Sequence, residues 1–314
     1  MSKRGQRETL HEVTVDAPPE DVYRLLAEVE NWPLMFPPTI HVDCVRRGTD
    51  DERIRIWATA NGEAKQWTSR RELDRESLRI GFRQEVSAPP VAAMGGTWAI
   101  ERAGDGKCLV RLFHDFRAVD DDPDSLSWIE SAVDRNSRSE LGALREHAEA
   151  AARGGELLMT FEDSVRVDAP AKDVYDFLNE AAQWPQRLPH VARVRFEEPS
   201  PGLQLLEMDT SARDGSEHTT TSVRVCFPHH KIVYKQTRLP ALMTVHTGQW
   251  TLTDAGQGVI AASRHSVAVN PDSITAILGP DAGVGDARTY IRAALSANSL
   301  ATLGHAKNYA ERRS

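Results

Sequence analysis

Apolar and polar residues alternate in short runs, give way to a three- and four-residue rhythm, then alternate again, and the chain passes through this cycle twice. Val13-Thr14-Val15 opens the first cycle with the period of two expected of a strand that buries one face. Val22, Leu25, Leu26, Val29 and Trp32 follow at helical steps, and the spacing predicts a single helix that starts near Pro18 and stops at Pro33. Val174, Phe177, Leu178 and Ala181 repeat that pattern between Pro170 and Pro185. The turn pairs Asn61-Gly62, Asp105-Gly106 and Asp214-Gly215 divide the later runs and predict a meander of hairpins. A longer helical stretch closes each cycle, over 125–152 and over 287–311. Strand, helix, hairpin-linked strands and long helix predict an α+β protein on antiparallel sheets.

The two cycles are copies of one another. VTVDAPPEDVY at 13–23 and VRVDAPAKDVY at 165–175 are displaced by 152, and the same offset aligns Trp32-Pro33 with Trp184-Pro185, Pro37 with Pro189, Ile80 with Ile232, Gln84 with Gln236, and Gly96-x-Trp98 with Gly248-x-Trp250. Asn136-Ser137 and Leu141-Gly142 match Asn298-Ser299 and Leu303-Gly304 at 162, so the second copy needs a longer loop before its last helix. The 314 residues therefore divide into a domain at 1–153 and a domain at 154–314, joined where Arg153-Gly154-Gly155 breaks an alanine-rich helical run. One large fold is the alternative.

Charge and composition narrow the partners. Lys and Arg total 38 against 46 Asp and Glu, a net charge of −8, which gives no field for gripping nucleic acid. No run approaches the roughly 18 apolar residues of a membrane span. The basic start MSKRGQRETLHE has no apolar segment behind it, so no secretion signal is expected. Cys44, Cys108 and Cys226 are odd in number and widely spaced, which fits a reducing cytoplasm better than a disulfide framework or a zinc site. No HExxH, GxSxG, phosphate-binding glycine loop or dinucleotide fingerprint occurs, and no metal or redox cofactor is expected. The run Asp120-Asp121-Asp122-Pro123-Asp124 reads as a loop and a helix N-terminus.

The strand KQWTSRRE carries the richest chemistry. Period-two geometry puts Lys65, Trp67, Ser69 and Arg71 on one face, and a dry core would not accept that set without partners, whereas a wet or ligand-filled cavity would. The competing reading is an edge strand with Trp67 against a loop and Arg71 in a surface ion pair. The second copy keeps Ser222 and Arg224, with Thr220 in place of the tryptophan; Val223 and Val225 make its other face the more apolar, so the inward reading of Arg224 rests on the repeat. On the long helix the stripe Leu126, Ile129, Val133 is interrupted by Asn136, Ser137 and Glu140 before Leu141 and Leu144 resume, which predicts polar groups facing the sheet or, alternatively, buried amides bonded to neighbouring carbonyls. His114, His246 and His265 are proton-carrier candidates, and a structural role is open for each. His229-His230 reads as a solvated turn.

With Asn31-Trp32-Pro33, Phe36-Pro37, Trp67-x-Ser69-x-Arg71 and Gly96-x-Trp98 in a tandem of such modules, the chain resembles the di-domain aromatase/cyclases of bacterial type II polyketide synthases, within the helix-grip superfamily of polyketide cyclases and START-like lipid-transfer proteins. The resemblance implies, for each domain, an antiparallel sheet wrapped around its long C-terminal helix with an interior cavity. It implies aldol closure and dehydration of the first ring of a poly-β-ketone, ketoreduced and joined between carbons seven and twelve, delivered on the phosphopantetheine arm of an acyl carrier protein among the other synthase components. It implies catalytic roles for Arg71 and Ser69; the repeat extends them to Arg224 and Ser222, and His265 joins them as the proton carrier. It places Trp67 in the cavity wall; Trp32, Phe36, Phe82, Trp98 and Asn136 are the further substrate-lining candidates of the first copy, with Trp184, His190, Thr220, Tyr234, His246, Trp250 and Asn298 in the second. The tyrosine that single-domain members carry near the first helix's exit has no counterpart in MFPPTI. A preorganised guanidinium suits the two oxyanions of an aldol step, and the fuller motif assigns ring closure to the first copy with the second contributing. Docking of an acidic carrier protein on this net-negative chain calls for a patch such as Arg46, Arg47, Arg53 and Arg55, which also reads as an ordinary solvated strand face. The alternative function is a non-enzymatic carrier of a lipid, steroid or polyketide, which would line its cavity with apolar groups.

Overall fold

The computed structural model describes residues 5–60, 63–154, 156–211 and 217–313. The turn pairs Asn61-Gly62 and Asp214-Gly215 lie outside the described residues. Two compact units emerge, Met1–Gly155 and Glu156–Ser314. The first runs β1 (Arg7–Val15), α1 (Pro19–Ala27), α2 (Trp32–Met35), β2 (Thr39–Arg47), β3 (Asp51–Ala60), β4 (Glu63–Asp74), β5 (Arg79–Gln84), β6 (Val91–Arg102), β7 (Cys108–Ala118) and α3 (Pro123–Ala152). The second runs β8 (Leu158–Val167), α4 (Ala171–Asn179), α5 (Trp184–Arg187), β9 (Val191–Ser200), β10 (Leu203–Ser211), β11 (Glu217–Phe227), β12 (Lys231–Arg238), β13 (Met243–Asp254), β14 (Val259–Val269), α6 (Ile274–Leu278) and α7 (Val284–Glu311). Each unit holds one seven-stranded antiparallel sheet, ordered β1-β7-β6-β5-β4-β3-β2 and β8-β14-β13-β12-β11-β10-β9. The longer second connection holds α6, as the offset of 162 requires.

In the first unit α3 packs its buried stripe Ile129, Val133, Ser137, Leu141, Leu144 and Ala148 against the sheet. Asp122 caps α3 by accepting from the Ser125 amide at 2.8 Å. Asn136 does not face the sheet. Steps of four from Val133 lead to Ser137 and Leu141, which turns Asn136 about 100° away into solvent. Asn298 is likewise exposed, one position before the buried Ser299.

The helix expected to run to Pro33 stops six residues earlier. Glu28 adopts φ −82°, ψ 78°, a short 3₁₀ turn covers Val29–Asn31, and Pro33 stands inside the first turn of α2 rather than at a terminus. The second unit repeats the break at Glu180, φ −77°, ψ 56°. Trp32 and Val29 sit close to their expected places because the new turn carries them inward. The break frees the last carbonyls of α1 and α4, which must find other donors.

Candidate active site

Those donors are the strand arginines. Arg71 on β4 is 2% exposed and gives Nη2 to the Leu26 carbonyl at 2.6 Å and Nη1 to Ala27 at 3.3 Å. Arg224 on β11 gives Nη2 to the Leu178 carbonyl at 2.6 Å. Each guanidinium lies over a tryptophan of the following turn, Trp32 and Trp184, at 5.1 Å. The tryptophans add their own donors, Trp32 Nε1 to Leu26 and Trp184 Nε1 to Phe177, both at 3.2 Å. Arginine, tryptophan and helix end form one buried unit, built twice.

Beyond this unit the two sites part. Glu52 on β3 stands opposite Arg71 and accepts its Nη1 at 2.5 Å, with Glu52 1% exposed. Every described terminal nitrogen of Arg71 is thus occupied by protein. Gln204 on β10 stands opposite Arg224, buried but turned toward Asn179, whose Oδ1 accepts its Nε2 at 3.1 Å. Arg224 Nη1 and Gln204 Oε1 are both buried without a partner. Burial pulls the Arg224 guanidinium below its ordinary value, yet a guanidinium starts so high that it stays charged.

Arg224 lines a cavity of about 120 Å3 in the second unit, close to the ~150 Å3 that encloses a single benzene ring. His246 Nε2 lies 2.9 Å from His265 Nδ1; His265 Nε2 lies 2.7 Å from Ser299 Oγ and 3.2 Å from Ser263 Oγ. The Tyr234 hydroxyl reaches His265 Nδ1 at 3.4 Å. His246 Nδ1, at the end of this chain, is buried and unpartnered. Burial, reinforced by the neighbouring ring, lowers His246 to about 3, and burial lowers His265 to about 4 against the opposing pull of Asp163. Both imidazoles are neutral at pH 7 and available as bases. Burial raises Tyr234 far above its ordinary value, so its phenol remains a neutral donor. Gly248 makes room for that phenol: a Cβ there would strike the Tyr234 ring, and Gly96 plays the same part beside Phe82.

The residues expected around the second copy's substrate all meet at this cavity, Trp184, His190, Thr220, Tyr234, His246, Trp250 and, from its rim, Asn298, together with Ser222 and His265. The first copy's set disperses. Ser69 is buried, but its hydroxyl donates to the Arg83 carbonyl at 3.0 Å. Trp67 is half-buried against the cluster of Val29, Val42, Ile54, Ile56 and Ala58. Phe36 stacks on Trp98 at 6.5 Å within the apolar core, and Phe82 meets the His114 edge at 5.4 Å. Asn136 is in solvent. Ser137 takes its place, with Oγ 3.4 Å from His114 Nδ1; burial, with His11 nearby, lowers His114 to about 4. Glu52, Gln204 and Ser263 were not singled out in the sequence, and Ser299 entered only as the repeat partner of Ser137, although the offset of 152 aligns Glu52 with Gln204. The docking patch is largely spoken for: Arg46 pairs with Asp51, Arg47 with Glu30 and Glu52, Arg53 with Glu85, and Arg55 lies over Trp57.

Two sheets of one topology, each gripping a long helix and each burying an arginine behind the same helix end, define a tandem helix-grip protein. The chain belongs to the family described as polyketide cyclase / dehydrase and lipid transport, whose model matches residues 7–149 and 159–310 separately. It is 53% identical to the granaticin polyketide synthase bifunctional cyclase/dehydratase of Streptomyces virginiae, over 94% of this chain and 97% of that one. It is 44% identical to the actinorhodin counterpart of Streptomyces coelicolor, over 98% of both. The crystal structure of the di-domain ARO/CYC BexL from the BE-7585A biosynthetic pathway superposes with a TM-score of 0.92 at 61% identity, covering 97% of this chain and 99% of that one. Among the described residues, no helix is long and apolar enough to cross a membrane.

Proposed function

We propose that this chain closes and dehydrates the first ring of a ketoreduced poly-β-ketone, between carbons seven and twelve, presented on an acyl carrier protein in the cytoplasm, and that the second domain's cavity is the reaction chamber. The observation that carries this reading is the convergence of a charged guanidinium with a vacant N–H and a neutral two-histidine chain on one ring-sized cavity. In the aldol step a base takes a proton from a methylene between two carbonyls, and the new carbon–carbon bond turns the attacked carbonyl into an alkoxide. Arg224 Nη1 answers the enolate oxygen, with Tyr234 and Ser222 as neutral donors nearby. His246 Nδ1 takes the methylene proton, its imidazolium supported by His265 through the 2.9 Å ring contact, and returns that proton to the alkoxide. The alkoxide gains a proton; loss of a second α-proton and of the hydroxyl as water then leaves the conjugated ring. A carrier would need no such row of titratable groups.

The test is a reconstituted minimal polyketide synthase supplied with wild-type protein, Arg224→Met or His265→Phe, with folding checked by circular dichroism. Both variants are expected to lose first-ring product by roughly 10²- to 10³-fold, with His265→Phe accumulating cyclised, undehydrated alcohol. An unchanged product distribution from folded variants overturns the assignment.

A further inference from the structure

The two buried arginines differ in one respect that neither the shared fold nor the shared motif explains. Position 52 and position 204 are equivalent in the repeat and sit directly across a strand pair from Arg71 and Arg224. One is a carboxylate in contact with its arginine; the other is an amide turned away from it. Glu52 is also held by Arg47 Nε at 3.2 Å, so its charge is fixed in place. Gln204 Nε2 instead faces Asn179 Oδ1 at 3.1 Å, with the Asn179 carbonyl and Glu198 Oε2 each at 3.5 Å. Glu198 is exposed on β9. The other groups acting on Arg224 are Cys226, Tyr175 and Tyr234, all raised by burial and neutral.

We infer that the acid-to-amide exchange at this cross-strand position decides which arginine can bind an anionic enolate or phenolate oxygen: Gln204 leaves Arg224 open to one, and Glu52 keeps Arg71 closed. A buried cation with no carboxylate in contact attracts an anion that enters, whereas an anion approaching Arg71 meets a carboxylate already seated and is repelled by it. Gln204 is thus a positioning residue that acts through Arg224. The inference rests on the second cavity being the reaction chamber, but it is a statement about charge and can be read without turnover.

The probe is 4-nitrophenol, whose ionisation is seen directly in its absorbance, with nitrobenzene as the neutral isostere. Bound to the wild-type chain, the phenol is expected to ionise at least one pH unit below its free value, a preference of about tenfold or more for phenolate. Gln204→Glu should abolish that depression while nitrobenzene binding holds. Gln204→Met, which adds no charge, should keep it, and this variant carries the test should the first not fold. An undepressed phenol in the wild type, a depression that survives Gln204→Glu, or its loss in Gln204→Met overturns the inference. A depressed phenol in a chain that fails to cyclise a polyketide would sink the proposed reaction and leave the anion site standing.

Discussion

Arg71 and Arg224 close the same helix end, lie over equivalent tryptophans and are buried to the same degree, yet one is neutralised and the other is not. The exchange of Glu52 for Gln204 does not stand alone. Where the first domain has Phe82, Met94 and Leu112, the second has Tyr234, His246 and Ser263, so an apolar interior becomes a hydrogen-bonded one along β12, β13 and β14. His114 and His265 are equivalents, but only His265 has a second imidazole at 2.9 Å to pass a proton to. At the buried arginine, a duplicated frame has let one copy keep a guanidinium whose terminal nitrogens are all taken by protein while the other holds one with unmet demand. Buried groups fully satisfied by protein build structure; those left short are available to a ligand.

The sharpest way to break this comparison is to remove each arginine in turn. Arg71→Met leaves the buried Glu52 carboxylate without its buried partner, held only from the half-exposed Arg47, and should cost about 3–5 kcal/mol of stability, read as a lower urea midpoint; adding Glu52→Leu should recover most of it. Product formed per folded molecule should hold. If Arg71→Met abolishes product in a fully folded protein, the division of labour is reversed.

Acid should separate the domains next. His265 and His246 stay neutral in the fold down to about 4 and 3, whereas the unfolded chain protonates them near the ordinary value of 6.5. Between those limits the unfolded state binds more protons, so the second domain loses stability as the pH falls from about 6.5 toward 4, by roughly 3 kcal/mol from His265 alone. Burial lowers His190 as well, in the same sense. In the first domain His114 and His147 pull the same way, but burial raises Glu140 to about 7. Folding therefore favours protonated Glu140 from about 7 down to its ordinary 4.5, and the opposing contributions offset. Hydrogen exchange followed from pH 7 to 4.5 should show the second domain opening first; equal loss of protection in both would contradict the assignment.

Smaller changes sharpen the picture. Tyr234→Phe gives the second domain the first domain's ring and should slow product formation by about tenfold, the worth of one neutral hydrogen bond, with no loss of fold. Asn136→Ala, at a solvent-facing position, should move the unfolding midpoint by no more than about 0.5 kcal/mol and leave product unchanged; a larger effect would return Asn136 to the interior.

The duplication, the antiparallel meander, the long helices and the inward direction of Arg71 were legible in the chain because they follow from periodicity and from a repeat that scores each pattern twice. Arg224 could be turned inward only through that repeat, since Val223 and Val225 are buried as well and hide the alternation. The break after Ala27 was not legible: Val29 and Trp32 keep a helical spacing that a 3₁₀ turn also satisfies. Asn136 and Ser137 both fit a polar gap in the stripe, and one residue of helical rotation separated them. Local order along the chain thus determined the frame, because strand and helix periods are properties of neighbouring residues. Which arginine has its charge answered, and which histidine finds a second, belonged to the tertiary structure, because Glu52 and Arg71, or His246 and His265, meet only when strands distant in sequence are laid side by side.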